Sequence, residues 1–309
     1  MDDEQTMRRE RIARIAGLPF MQMSQRPGLF RGARRSFADI WGHRELLVRL
    51  VKREVKARYK DSSLGILWAL VRPLAQLLIY YFAIGQIIGA ARQVPDFAIF
   101  VFIGLTTWML FSETLATATT SILNNAGLVK KVYLPREVFP LSAAGSALVN
   151  FALQSIVLVL AILTISSFRP STDLLWVPVA LITVIVYGVA AGLLLSAINV
   201  YLRDVQHFVD VYLIVFFWVS PIVYPFTFVS NLVGGTWLEQ VYLANPITTV
   251  ILVMQRALWT EGATSMEFPQ IWPDNLELRL LITLLIGLVF LFIAQRIFAR
   301  LQGNFAQEL

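Results

Sequence analysis

Few residues in this sequence have the type and spacing to do bond chemistry. Cysteine is absent, which removes thiolate nucleophiles, thiolate metal ligands and disulfides. His43 and His207 are the two histidines, too few for a multi-histidine metal centre, so no metal site is expected. No Gly-x-x-x-x-Gly-Lys-Ser/Thr loop occurs to cradle nucleotide phosphates, and there is no His-Glu-x-x-His, Gly-x-Ser-x-Gly or EF-hand signature. Glu113 is the main acid inside an apolar stretch. It lacks a relay of further buried carboxylates, so a hydrogen-bonded place in a helix bundle is favoured over proton coupling.

What remains is charge and aromatic surface placed for contact. Arg49, Lys52, Arg53, Lys56 and Lys60 recur along one side of residues 37–60, while Phe37, Ile40, Trp41, Leu47, Val48, Val51, Val55 and Tyr59 fall on the other. That pattern predicts an amphipathic helix in a membrane interface, its cations toward lipid phosphates and water. It serves either as an anchor alone or as an anchor that also borders a partner protein. Arg72, followed by Pro73, lies inside an apolar run. Either it snorkels to the interface or it faces a transport path. Aromatic clusters (Tyr80, Tyr81 and Phe82; Phe216, Phe217 and Trp218) have a default role in packing or lipid contact. Together they also offer flat faces on which sugar rings can slide. Trp108 and Trp176 fit an interfacial belt.

The elements that carry these residues are membrane-spanning. The chain has 309 residues, 57% hydrophobic and only 15% charged, with a mean hydropathy of +0.66. Soluble domains are more charged and less apolar, so a soluble fold is not expected. Six apolar stretches cover about 64–88, 97–119, 138–165, 174–200, 205–226 and 277–298. Each reaches the roughly 17–25 residues that cross a bilayer as a helix. Alternating barrel strands are absent. The expected fold is an all-α integral membrane protein with six transmembrane helices. With the N-terminus inside, 21 of the 26 Lys and Arg residues fall on the inner side, so both termini are expected in the cytoplasm. The net charge of +6 then marks a cytoplasmic membrane face and not a nucleic-acid surface. No apolar run follows the Arg-rich start, so no cleavable signal peptide is expected.

Three interruptions punctuate this plan. Residues 121–140 (SILNNAGLVKKVYLPREVFP) form an inner loop broken at Asn124-Asn125 and at Pro135 and Pro140. A short helix over 128–133, bearing Lys130 and Lys131, is expected to lie parallel to the membrane. It is either an ordinary positive-inside loop or a docking surface for a cytoplasmic motor. Pro221 and Pro225 bend or end the fifth stretch. Asn245-Pro246 then makes a strong helix start, an Asn N-cap with Pro at the first helical position. The helix it opens is too short for a comfortable span and suits a dip into the outer leaflet or a surface helix packed on the bundle.

YKDSSLGILWALVRPL (59–74), NNAGLVKKVYLPREVFPL (124–141), Arg203-Asp204, Ser220-Pro221-Ile222 and Asn245-Pro246 occur in this order. The ordered set resembles the permease subunits of ABC-2 type exporters for lipid-linked polysaccharides, such as O-antigen, teichoic acid, capsule and cell-wall galactan permeases. The likeness runs from about residue 37 to the C-terminus. It implies a basic tail (1–35), an interface helix (36–62), a six-span domain (63–300) and a short cytoplasmic end (301–309). It implies a coupling helix between spans two and three at 125–137, with Leu128, Lys130, Lys131, Tyr133, Pro135, Arg136 and Glu137 at the motif. It also implies short outer gate helices at about 228–262, with Pro221, Pro225, Asn245 and Pro246 at their borders. A homodimer, two separate ATPase chains that hold ATP and Mg, and a polyprenyl-diphosphate-linked glycan follow from the same likeness. So does a place in the bacterial inner membrane. The chain itself is then no enzyme and binds no cofactor. An exporter of a small lipid or drug shares the fold. A polyprenyl-phosphate-dependent glycosyltransferase would need clustered acids that the sequence lacks.

Overall fold

The computed structural model describes residues 38–60, 65–92, 94–131, 134–166, 168–260, 262 and 270–309. The basic tail 1–35, Phe37 and Tyr133 lie outside the described residues. The described chain is a helical bundle. Five helical stretches are long and apolar enough to cross a membrane: Trp68–Ile87, Phe97–Asn124, Val138–Thr164, Thr172–Tyr201 and Leu276–Asn304. The first comprises α2 (Trp68–Tyr80), which carries Pro73 without ending and then widens into a π-helical stretch, Tyr81–Ile87. The others contain α3 (Phe97–Asn124), α5 (Val138–Ile165), α6 (Val177–Tyr201) and α11 (Leu276–Leu301). The interface segment is α1 (Arg44–Tyr59), and α4 (Ala126–Lys131) is the short helix after α3.

The fifth expected span is corrected. Helix α7 covers only Val205–Val219 and stops at Ser220, short of residue 226. Its 15 residues make about 22 Å, less than the roughly 30 Å hydrocarbon layer. The cause is local: Pro221 and Pro225 each lack an amide donor, and the backbone from 220 to 225 leaves the helix. Three short helices follow: α8 (Phe226–Val233), α9 (Trp237–Leu243) and α10 (Pro246–Leu258). Helices α9 and α10 meet at 80°, and this bent pair is the alternative sixth crossing. The expected dip of α10 stands beside a broken span as a reading of this bent pair, and the helix is packed deep against the bundle. Residues Ile247 to Gln255 are all buried, packed against α3, α6 and α11.

Helix α3 is the axle of the bundle. It is apolar on all sides, as a helix surrounded by protein must be, and it packs along both α5 and α6. Its threonines would be costly in an apolar core, so they turn back on their own helix. Thr107 Oγ1 donates to the Ile103 carbonyl at 2.8 Å and Thr114 Oγ1 to Leu110 at 2.7 Å. The α3–α6 contact is set by Gly188 and Gly192, spaced as in small-xxx-small membrane interfaces. A Cβ on Gly192 would come within 2.6 Å of the Ala118 Cβ, so only glycine lets these backbones approach. Trp108, expected at an interface, is buried against Phe111 and Phe217. Helix α11 differs from α3: one whole side is exposed and aliphatic (Leu278, Leu281, Ile282, Leu285, Ile286, Val289 and Ile293).

Candidate functional site

At the end of the bundle where α3 leaves and α5 begins, several helices converge. Val129 of α4 is buried with Leu50 of α1, Ile122, Phe139, Phe298 and Phe305. Phe305 opens α12 (Phe305–Glu308) and is fully buried. The Arg136 guanidinium lies 5.7 Å from its ring centroid. Glu137 is also buried, and burial pushes its carboxyl up, opposed by hydrogen bonds with Gln295 and Gln302. Leu128 and Pro135 are half-buried, whereas Lys130 and Lys131 project into the open from the last turn of α4. The expected short helix is thus a packed stub with a cationic tip, and it starts two residues before the sequence expectation of 128–133.

Helix α1 docks on α5 through one edge of the expected apolar arc, at Val51, together with Leu50 and Glu54. Leu50 is the most buried residue of its inner side, while Trp41 and Val48 of the expected apolar arc are 64% and 51% exposed. A small residue lies across the contact: Gly145 of α5 leaves no side chain in the way of Val51. Polar ties then fix the register. Ser142 Oγ donates to Glu54 at 2.6 Å, and Arg53 donates to the Asn125 side-chain oxygen. Burial pushes the Glu54 carboxyl up, and the Ser142 hydroxyl pulls it back. Arg49, Lys52, Lys56 and Lys60 stay exposed and Arg53 turns to the loop, so the five cations do not share one environment.

Between α1, α2, α3 and α5 lies a cavity of about 750 Å³ lined by Arg58, Trp68, Arg72, Ser112, Glu113, Asn150 and Gln154 among others. A second hollow of about 450 Å³ adjoins it, sharing Arg58 and Thr117, and runs to Asn124 and Asn125 at the basic end. Arg58 and Glu113 form an ion pair, and Asn150 Nδ2 donates to the same carboxylate at 2.6 Å. Glu113 is therefore hydrogen-bonded in the bundle, as its isolation in the sequence led us to expect. Arg72, the other expected path residue, lines the same cavity.

The aromatic residues form a separate layer farther along α2 and α7. Tyr80 stacks on Phe217 at 5.6 Å and meets Trp218 edge-on, and Trp108 meets Phe217 edge-on. Phe216 instead stacks on Tyr212, and Tyr81 packs on Phe82. None of Tyr80, Tyr81, Phe82, Phe216, Phe217 and Trp218 lines either hollow. Phe82 and Trp218 are more than half exposed.

The expected gate residues do come together. Asn245 caps α10, its side-chain oxygen accepting from the Ile247 amide at 3.1 Å while its Nδ2 donates to Ser220. Gln255 Nε2 donates to the Pro221 carbonyl at 2.8 Å, satisfying a backbone group freed by the broken helix. Gly104 of α3 makes room, because a Cβ there would meet the Ile222 backbone at 3.0 Å. Pro225 is buried and ends this turn, and Pro246 sits in the first turn of α10.

Two ion clusters escaped the sequence reading. One is Arg58–Glu113. The other is Arg256 of α10, which binds Asp173 at 2.8 Å and Glu277 of α11 at 2.6 Å and clamps the far end of the bundle. Their partners lie 55, 83 and 21 positions apart, beyond any helical spacing. Among the described residues, no group of three or more His, Asp or Glu side chains is arranged to hold a metal.

A helical bundle of this make-up, with a broken re-entrant segment and an external cationic elbow, has the build of a transporter's membrane subunit. The profile of the ABC-2 type transporter family matches residues 45–259, and the chain belongs to that family. It is 29% identical over 266 residues to the O-antigen export system permease protein RfbA of Klebsiella pneumoniae, covering 86% of this chain and 95% of that one. The RfbA protein of Myxococcus xanthus is 28% identical, covering 89% of this chain and 99% of that protein. The polysialic acid transport protein KpsM of Escherichia coli is 24% identical, with 77% and 89% covered.

Proposed function

We propose that this chain is the membrane subunit of an ABC exporter that moves a polyprenyl-diphosphate-linked polysaccharide across the bacterial inner membrane. Two copies form the conduit, and two separate ATPase chains, which hold ATP and Mg, supply the energy. The permease relatives support the cargo class. One structural observation carries the path. The outward sides of α2 and α7 are exposed yet mix Arg72, Gln76, Gln86, His207 and Asp210 with Phe82, Phe208 and Trp218. Charged and polar groups at such positions are costly against lipid and belong toward protein or water. The aliphatic exposed side of α11 is what a lipid-facing helix looks like. A second copy seated across α2 and α7 would cover the mixed surface and leave α11 to the bilayer.

In this arrangement the basic end, with α1, α4 and both termini, faces the cytoplasm, following the Lys and Arg bias. The polyprenyl chain stays in the bilayer, where each buried CH₂ is worth about 0.8 kcal/mol. The glycan passes the aromatic layer, whose faces offer contact without strong directional bonds. The ATPase pushes on Lys130 and Lys131, and the packed stub moves as one body with α1 and α12. No bond is made or broken by this chain.

Depletion in the native cell tests the cargo. Full-length lipid-linked glycan should accumulate on the cytoplasmic side while its surface counterpart declines. Normal surface glycan, with retention of a small lipid or drug, would contradict the reading.

A further inference from the structure

We propose that the 750 Å³ cavity beside α1 is the seat of a lipid-linked diphosphate and the sugar next to it, with Arg58 and Arg72 as phosphate ligands and Gln154 as acceptor for a sugar hydroxyl. This rests on the export reading above and adds to it a place and a set of recognising atoms.

The volume falls within the roughly 300–1,000 Å³ of small-molecule sites. Two guanidinium groups line one hollow, and guanidinium is the side chain best matched to phosphate oxygens, because its planar fork donates in pairs. Their states differ. Arg58 is already neutralised by Glu113. Arg72 has no side-chain partner among the described residues, although it sits one turn inside a membrane-spanning helix. An unpaired cation there is costly unless an anion or water answers it.

The second, independent sign is Gln154. It is 4% exposed, its amide nitrogen makes only a 3.5 Å contact to the Ala69 carbonyl, and its buried oxygen has no hydrogen-bond partner. That oxygen is an acceptor and does not suit a phosphate. It suits a hydroxyl. A ligand offering negative oxygens to the arginines and a hydroxyl to Gln154 combines phosphate with sugar. Trp68, on the cavity wall and 41% exposed, adds an aromatic face for a sugar ring.

Glu113 gives the site its release. It holds Arg58 while the cavity is empty and competes with the phosphate when it is filled. The lipid is therefore bound firmly enough to enter and loosely enough to leave.

Binding to the complete transporter in nanodiscs, in its non-hydrolysing state, tests this. The probes are polyprenyl diphosphate bearing one N-acetylhexosamine, bare polyprenyl diphosphate, and phosphatidylglycerol as a competing headgroup. Arg72→Gln removes no hydrogen bond or ion pair among the described residues, so it is expected to fold, and it should weaken both diphosphates at least about tenfold. Gln154→Leu should weaken the sugar-bearing probe about tenfold more than the bare one. Glu113→Gln, which keeps an acceptor for Asn150, should tighten both. Unchanged affinity in Arg72→Gln, or equal competition by phosphatidylglycerol, would overturn the site and leave the export reading standing. Failure of the unaltered complex to bind either diphosphate would overturn both.

Discussion

Reversing the charge of Lys130 and Lys131 together, to glutamate, is expected to lower export at least tenfold while the chain still reaches the membrane at its normal level. Both lysines are exposed, and the stub beneath them is held by Val129 and Leu128, which the change leaves alone. Exposed substitutions of this kind shift stability by about 0.5 kcal/mol or less. Two acids in the last turn of α4 also oppose the helix dipole, at about 0.3–1 kcal/mol each, which does not unfold a bundle. At a contact with a partner the same change moves the local charge by four units and replaces attraction with repulsion. Surface glycan, membrane abundance and ATP hydrolysis by the complex are the readouts. Abundance should hold, and hydrolysis should persist without transport. Normal export by the double variant would remove α4 from the coupling path.

The second large effect is expected at Phe305→Ala. The ring is fully buried, meets Phe298 edge-on at 5.6 Å and Tyr201 at 6.2 Å, and carries Arg136 over its face. Truncating a buried phenylalanine costs about 3–5 kcal/mol. The loss falls on the smaller cluster, which joins α1, α4, α5, α11 and α12 to one end of α3 and to α6, and not on the main core around the middle of α3. Loosening should therefore be local, seen as faster amide exchange across residues 126–131 with little change in the first half of α3, which belongs to the main core. Phe305→Leu should recover much of the protection. Unchanged exchange at 126–131 in the alanine variant would show that the C-terminal helix does not brace the elbow.

How much of this was legible in the sequence depends on the range of the forces involved. Long spans are written in composition, because lipid demands about 20 apolar residues, and five of the six expected stretches are helices of that kind. Turn chemistry was legible too: the Asn245 cap and the Pro246 start are read from two adjacent residues, and both occur as expected. Span five failed because apolar length was weighed above two prolines, which end the helix at Val219. How deeply α10 is packed was not legible, because 13 residues cannot say whether their neighbours are lipid or protein. That α1 docks on α5 at Val51 was not legible, because a glycine 94 positions away, Gly145, makes the room. The same blindness to long-range pairing hid Arg58–Glu113 and the Arg256 clamp. It also hid that Arg58 and Arg72 share a polar hollow while the rings form a layer of their own.

Reconstitution is the most direct test of the account. The purified chain, alone or with its partner ATPase, is placed in proteoliposomes loaded on one leaflet with a lipid-linked glycan, and transfer to the other leaflet is followed with and without ATP. Transfer is expected only when chain, ATPase and ATP are all present. Sustained ATP-driven turnover by the chain alone would contradict the claim that it is a passive conduit driven from outside.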